Sequence, residues 1–421
     1  PQRPPRPPER RRRPAALLGV LALLGPGLIA ANAGNDAGGV ATYSSAGARY
    51  GYGLLWVMVL ITVSLVVVQR LAARMGVVTG KGLAELVRER HGARWSLLLA
   101  TTVLVANAGI CVSDFVGIGA ALGLAGVPVW ASVPPVAAAV WLVLMRGTYR
   151  GAERLFVWMA LPFLAYPVAA LLAHPDWGAV GHHLVAPHVR AAPGYLMLLV
   201  ALAGTTITPY MQLYLQSSVV ERGSGRDRLR AEQAEAAGGA VFANLVACFI
   251  IVATGATLFV AGRHAIGSAA QAAEALRPLA GSYAELLFGV GLLGASLLAA
   301  AILPVTTAYV VAESFGFEKG LSHRPRQAPV FAGVITALIA VAAVVALIPG
   351  VPVIGLLVGV QVVNGVLLPI TLTFVWRLAR DPRVMGADRV GPGLGLLAGV
   401  TVVTTSALSL ALLGVTLLGG L

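Results

Sequence analysis

Eleven stretches of this chain are apolar for long enough to cross a lipid bilayer: 15–43, 52–72, 96–123, 128–146, 153–173, 193–219, 237–262, 283–312, 329–349, 351–376 and 393–418. About 20 apolar residues in a helix span a hydrocarbon core of about 30 Å. Inside lipid each backbone donor and acceptor must be satisfied within the segment, so these stretches are read as helices. Composition points the same way. The 421 residues are 58% hydrophobic and 11% charged, with a mean hydropathy of +0.84, and a soluble fold of this length has no means of hiding that surface. The expected class is an all-α polytopic membrane protein of about eleven transmembrane helices. Residues 1–14, "PQRPPRPPERRRRP", are too rich in Pro and Arg to pack and are read as a disordered basic cytoplasmic tail. A signal peptide does not fit, because the following apolar run lacks a small-residue cleavage site and ten spans follow it. Cys111 and Cys248 both fall in spans, where they act as soft packing residues rather than as a disulfide.

The charges orient the bundle. Of the 30 Lys and Arg, 26 lie in the tail or at the 2–3, 4–5, 6–7, 8–9 and 10–11 connections. Only Arg49, Arg190, Arg263 and Arg277 lie in the alternate loops. Positively charged loops stay in the cytoplasm, so the N-terminus is expected there, and a bacterial inner membrane suits such a chain. The net charge of +13 then faces anionic lipid. No aromatic platform accompanies the arginine run, so nucleic acid is not an expected partner.

Charged residues at membrane depth are rare and mark function by default. Asp36 interrupts the first span within "GLIAANAGNDAGGVATYSS", and Asp114 lies in the third within "GICVSDFVGIG". Glu313 ends the eighth span, and Asn32, Asn35, Asn107, Asn244, Gln361 and Asn364 are neutral candidates. The sixth span is broken too, at "GTTITPYMQLYLQSS", where Pro209 removes a backbone donor. Thr205, Thr206, Thr208 and Gln212 surround that break. Spans 1 and 6 are an odd number apart, so their directions oppose. Two inverted five-helix repeats are expected, 15–173 and 193–376, with helix 11 at 393–418 and an ion site between the two broken helices. Freed carbonyls near 36–39 and 205–208 would suit a cation, and Asp36 supplies the charge. The histidines are read as lying in loops, with His174, His182, His183, His188 and His264 on the outer side as solvated residues or a metal-collecting rim.

Three segments carry a resemblance. "GPGLIAANAGNDAGGVATYSSAGARYGYGLLW" (25–56), "LAARMGVVTGKGLAEL" (71–86) and "LYLQSSVVERG" (213–223) are similar to segments of the Nramp family of divalent-metal transporters. The resemblance covers most of the chain and implies the LeuT-like inverted-repeat fold. It also implies that the metal-binding aspartate is Asp36. The departures are informative. The family's Asp-Pro-Gly-Asn reads Asp36-Ala37-Gly38-Gly39, so its asparagine ligand is absent. Its Met-Pro-His reads "TPYMQ", with Thr208 or Pro209 at the methionine and Tyr210 or Met211 at the histidine. The third-helix glutamates become Asn107 and Gly117, leaving Asp114, and Leu367 stands where a tenth-helix glutamine is expected. These changes resemble the magnesium-transporting branch related to Nramp.

A thioether favours soft ions, and its loss removes a reason to reject Mg2+. Mg2+ prefers six oxygens and holds its water, so its site should be roomy and oxygen-lined. The expected set is Asp36, Gly39, Thr205, Thr206, Thr208, Gln212 and Asn364, with Asp114 in a proton or gating role. The expected function is transport of Mg2+, and of Mn2+, by alternating access without an obligatory proton. Alternatives are a proton-coupled Mn2+/Fe2+ importer, with Met211 as the soft ligand, and an amino-acid or organic-solute carrier on the same fold. No nucleophile–base pair lies at membrane depth, so an enzyme is not expected. Neither a cofactor nor an obligate protein partner is expected beyond the ion and the bilayer.

Overall fold

The computed structural model describes residues 35–146, 165–190, 192–320 and 325–418. The basic tail, most of the first expected span and the start of the fifth lie outside the described residues. Among those described, eight helical stretches are long and apolar enough to cross a bilayer, and Val129–Met145 is a shorter apolar one.

The chain runs through α1 (Ala37–Tyr50), α2 (Leu55–Thr79), α3 (Leu83–His91), α4 (Ala93–Leu124), α5 (Val129–Met145), α6 (Ala165–Leu172) and α7 (Trp177–Val185). It continues through α8 (Pro193–Thr206), α9 (Pro209–Glu221), α10 (Leu229–Thr254), α11 (Ala284–Phe315), α12 (Pro329–Ala346), α13 (Val353–Arg380) and α14 (Pro392–Leu417). Short helical turns between Ala269 and Tyr283 join α10 to α11.

Both interruptions are built by local chemistry. Asp36 stops backward extension of α1: its backbone is extended, and its Oδ1 accepts the Gly39 N–H at 2.6 Å, an N-cap. α8 ends at Thr206, Thr208 leaves the helical conformation, and Pro209 opens α9 at the position where a missing N–H costs nothing. Around these ends the packing is close. α1 lies against α4, α8, α10 and α13, α11 runs along α4, and α8 runs along α13. A Cβ on Gly204 would stand 2.2 Å from the Gln361 carbonyl oxygen and 2.3 Å from the Gly365 nitrogen. One on Gly365 would stand 2.3 Å from the Val200 oxygen, so α8 and α13 touch backbone to backbone.

One end of the bundle is tied by polar contacts. Gln216, at the foot of α9, donates to the Lys81 carbonyl at 2.8 Å. Lys319 bridges Glu313 of α11 and Glu85 of α3, at 3.2 Å each. Arg90 of α3 pairs with Asp381 beyond α13, and Arg226 pairs with Asp388 at 3.2 Å. At the opposite end Arg263 pairs with Glu274.

The structure corrects the placement of the histidines. His91 closes α3, and His182 and His183 lie within α7, so the connection ahead of α8 is partly helical. The capping side chain of Asp176, which accepts the Gly178 and Ala179 N–H groups, explains why α7 starts there.

Candidate metal site

Asp36 sits at the start of α1 with 1% of its surface exposed. The first N–H groups of a helix have no partners within it, and the dipole makes that end positive. Here two carboxylates take them. Asp36 Oδ1 accepts from Gly39, and Asp114 Oδ1, reaching from α4, accepts from Ala37 at 3.4 Å. Both acids therefore meet at one helix end. Within α1 the Asp36 carbonyl accepts the Val40 N–H, and the Gly38 carbonyl accepts the Thr42 hydroxyl. At this break the described backbone presents N–H groups, and those two carbonyls are already in use.

The carbonyls are at the other break. Pro209 has no N–H to continue the helical ladder across the break, so α8 stops at Thr206 and turns the negative end of its dipole toward the break. Thr205, Thr206 and Thr208 are all buried there. The Thr206 hydroxyl is 3.0 Å from the Tyr43 hydroxyl, which links α8 to α1. The Gln212 amide nitrogen, assigned from its surroundings, lies 2.5 Å from the Thr208 carbonyl and 3.1 Å from that of Pro209. Gln212 thus spends its donor on the break itself.

Helix α13 completes the site. Gln361 Nε2 lies 3.3 and 3.5 Å from the two oxygens of Asp36. Its Oε1 accepts from Asn364 Nδ2 at 3.2 Å, and the same nitrogen is 3.4 Å from the Gly204 carbonyl on α8. One chain of contacts therefore runs from Asp36 through Gln361 and Asn364 to α8. Two buried acceptors, Asp114 Oδ2 and Asn364 Oδ1, have no hydrogen-bond partner. Unsatisfied buried oxygens beside a carboxylate are what an incoming cation or its water would engage.

Of the expected residues, Asp36, Gly39 and Asn364 belong to this chain of contacts; Thr205, Thr206, Thr208 and Gln212 line the opposing break. Gln361 is the member that the expected set omitted. Its signal was present as an amide in an apolar run, but a sequence does not say which partner such an amide finds. Two other positions are closed. A Cβ on Gly117 would lie 2.4 Å from the Ala37 Cβ and 2.8 Å from the Ser296 hydroxyl, so the space beside it is filled. Asn107 donates to the Thr307 hydroxyl at 2.8 Å. Among the described residues, no group of three or more His, Cys, Asp or Glu is arranged to hold a metal ion. The site is a carboxylate pair with amides, hydroxyls and carbonyls around it.

Known proteins share both sequence and fold. The divalent metal cation transporter MntH of Deinococcus radiodurans is 30% identical over 302 residues, which are 69% of this chain and 68% of that protein. A manganese transporter of Eremococcus coleocola, solved with an aromatic bis-isothiourea compound, superposes with a TM-score of 0.74 at 18% identity, over 96% of this chain and 88% of that one. Mhp1, a nucleobase-cation-symport-1 family transporter, superposes with a TM-score of 0.55 at 16% identity over 92% of each chain. The fold is thus the LeuT-like one, with the expected sixth span divided into α8 and α9. A family profile described as "Natural resistance-associated macrophage protein-like" matches residues 27–414. The chain belongs to this Nramp family of divalent-metal transporters, and it is a transporter rather than an enzyme.

Proposed function

We propose that the chain carries Mg2+, and Mn2+ with it, across the membrane by alternating access and without an obligatory proton, as in the magnesium-transporting branch related to Nramp. The observation that carries this reading is the donor set around Asp36. It contains oxygens and amides, with Gln361 and Asn364 beside the carboxylate and no thioether at Thr208 or Pro209. Hard oxygen donors suit Mg2+ and Mn2+, and amides and hydroxyls suit the water that Mg2+ keeps. Proton transfer needs titratable groups in series. The Gly117 position has no room for a carboxylate, and Asn107 is an amide committed to Thr307. A divalent ion gains about 4.6 kcal/mol per 100 mV of membrane potential, twice the single-charge value, so the potential alone suffices to drive uptake. The reading places the N-terminus in the cytoplasm of a bacterial cell, with the repeats at 15–173 and 193–376.

A second reading is favoured by Asp114. It is a buried carboxylate with one free oxygen, held against the same helix end as Asp36. It would serve a proton-coupled Mn2+ or Fe2+ importer; the relatives' names give a divalent metal cation and manganese as cargo. An organic-solute carrier is disfavoured. The N–H groups that would receive a substrate carboxylate are already held by Asp36 and Asp114.

The test is ion flux into proteoliposomes. Mg2+ uptake should saturate, compete with Mn2+ and leave the internal pH unchanged. Asp36→Ala at equal incorporation should carry none. Uptake of Mn2+ that Mg2+ does not compete with, accompanied by acidification, would establish the second reading instead.

A further inference from the structure

Three histidines gather at the end of the bundle that carries α7, away from the site around Asp36. The His182 and His183 Nδ1 atoms are 3.4 Å apart. The His188 ring stacks on that of His183 with centroids 5.0 Å apart and lies 6.1 Å from that of His182. His182 and His188 are exposed and His183 is half-buried, so the cluster is open to solvent.

The backbone that carries these rings is held in place. Asp176 caps the start of α7. Beyond α7, the His188 carbonyl accepts the Tyr195 hydroxyl at 2.5 Å, and that hydroxyl also accepts from Trp56 Nε1 at 3.2 Å. Tyr195 is buried in α8 and packs edge-on against Tyr50 of α1. The segment bearing His188 is thereby fastened to the bundle. Three imidazoles within 7 Å of one another are therefore a product of the fold.

We propose that His182, His183 and His188 form a surface site for a borderline transition-metal ion of the Zn2+ or Ni2+ kind, separate from the transported ion. Two imidazole nitrogens each about 2.0–2.1 Å from a tetrahedral zinc stand about 3.4 Å apart. The His182 and His183 pair already has that separation. As they stand the three rings do not converge on one point. The metal completes the site by drawing in the exposed His188 side chain, with water in the remaining position. Nitrogen donors select against Mg2+, so this site and the oxygen-lined one discriminate between different ions.

The experiment is calorimetric titration of the full-length protein with ZnCl2 in detergent at pH 7.5, carrying no oligohistidine tag. One Zn2+ per chain should bind in the wild type and equally in Asp36→Ala, which separates this site from the transport reading. His182→Ala/His183→Ala should weaken that binding by roughly tenfold or more, and His188→Gln should weaken it too, since each removes a ligand. Thermal unfolding without metal should be unchanged in both histidine variants, because the rings are at the surface. Zn2+ binding that disappears in Asp36→Ala, or persists undiminished in the double variant, would overturn the proposal.

Discussion

Replacing Gly38 by Ala should uncouple stability from transport. A Cβ at this position would stand 2.1 Å from Gln361 Nε2 and 3.0 Å from Gln361 Cδ. Ordinary contact begins near 3.4 Å, so the amide must retreat by about 1.3 Å, the difference between the two distances. Its nitrogen is already 3.3 and 3.5 Å from the Asp36 oxygens, so any retreat ends the contact. A hydrogen bond to a charged group is worth about 1.5–3 kcal/mol, which is about 10- to 150-fold in an equilibrium constant. Against this, Ala is favoured over Gly within a helix by about 1 kcal/mol. The backbone meets no obstacle, since the atoms in the way are the tip of one side chain. The variant should thus lose about 2 kcal/mol of stability at most. It should lose Mg2+ affinity by about tenfold or more, read by calorimetry and by uptake into proteoliposomes. The decisive measurement is the cycle with Gln361→Ala. Once the amide is gone, Gly38→Ala has nothing to strike and should add no further loss. Equal damage from Gly38→Ala in both backgrounds would refute the steric argument.

Other expectations follow from the same geometry. Glu232 is almost fully buried and is satisfied by Arg222 and the Ser224 hydroxyl. Arg222→Ala strands that carboxylate and should cost about 2–3 kcal/mol in detergent unfolding, discounted because Arg222 itself is partly exposed. Glu232→Gln in the same background should recover part of it. Asp381 titrates below its ordinary value of 3.8: burial pushes it up, but hydrogen bonds from Arg90 and the Arg383 N–H, with both arginine charges, outweigh that. A lowered carboxyl stabilises the fold above its unfolded value and loses that contribution as pH falls through the folded one. The difference in melting temperature between wild type and Arg90→Gln, present at pH 7, should therefore shrink once pH falls below the unfolded value near 3.8 and vanish below the lower folded one. Thr208→Met introduces a soft donor at the second break and should shift competition from Mg2+ toward Mn2+ or Cd2+, measured as relative inhibition of uptake. Unchanged ion preference would place position 208 outside the ion's reach.

What the sequence discloses, and what it withholds, differs by residue. Asp36 and Pro209 were legible because each violates the pattern of its span, one by charge and one by a missing donor. The ends of α2 and α13 were not. The apolar run stops at 72 while α2 continues to Thr79, and stops at 376 while α13 continues to Arg380. Hydropathy registers where lipid ends, and a helix carrying Arg74 or Arg377 proceeds beyond it without breaking its hydrogen bonds. α1 extends past the expected boundary at 43 to Tyr50 because Ser44, Ala46 and Gly47 are buried against protein, a tertiary effect that local composition does not encode. The contact of Gln361 with Asp36 is of the same kind, since 325 residues separate the two.

The ties among α3, α9, α11 and α13 have a kinetic implication. The ion pairs on these elements and the turns beside them are partly exposed, and they gather at one end of the bundle. Exposed pairs are screened over about 8 Å at 0.15 M salt and over about 3 Å at 1 M. A motion that opens that end would break these pairs, whereas among the described residues the other end carries the Arg263–Glu274 pair. Electrolyte on one face should therefore set the pace of the cycle, and electrolyte on the other should scarcely alter it. A vesicle with different salt inside and out would behave as a transporter with a throttle on a single side.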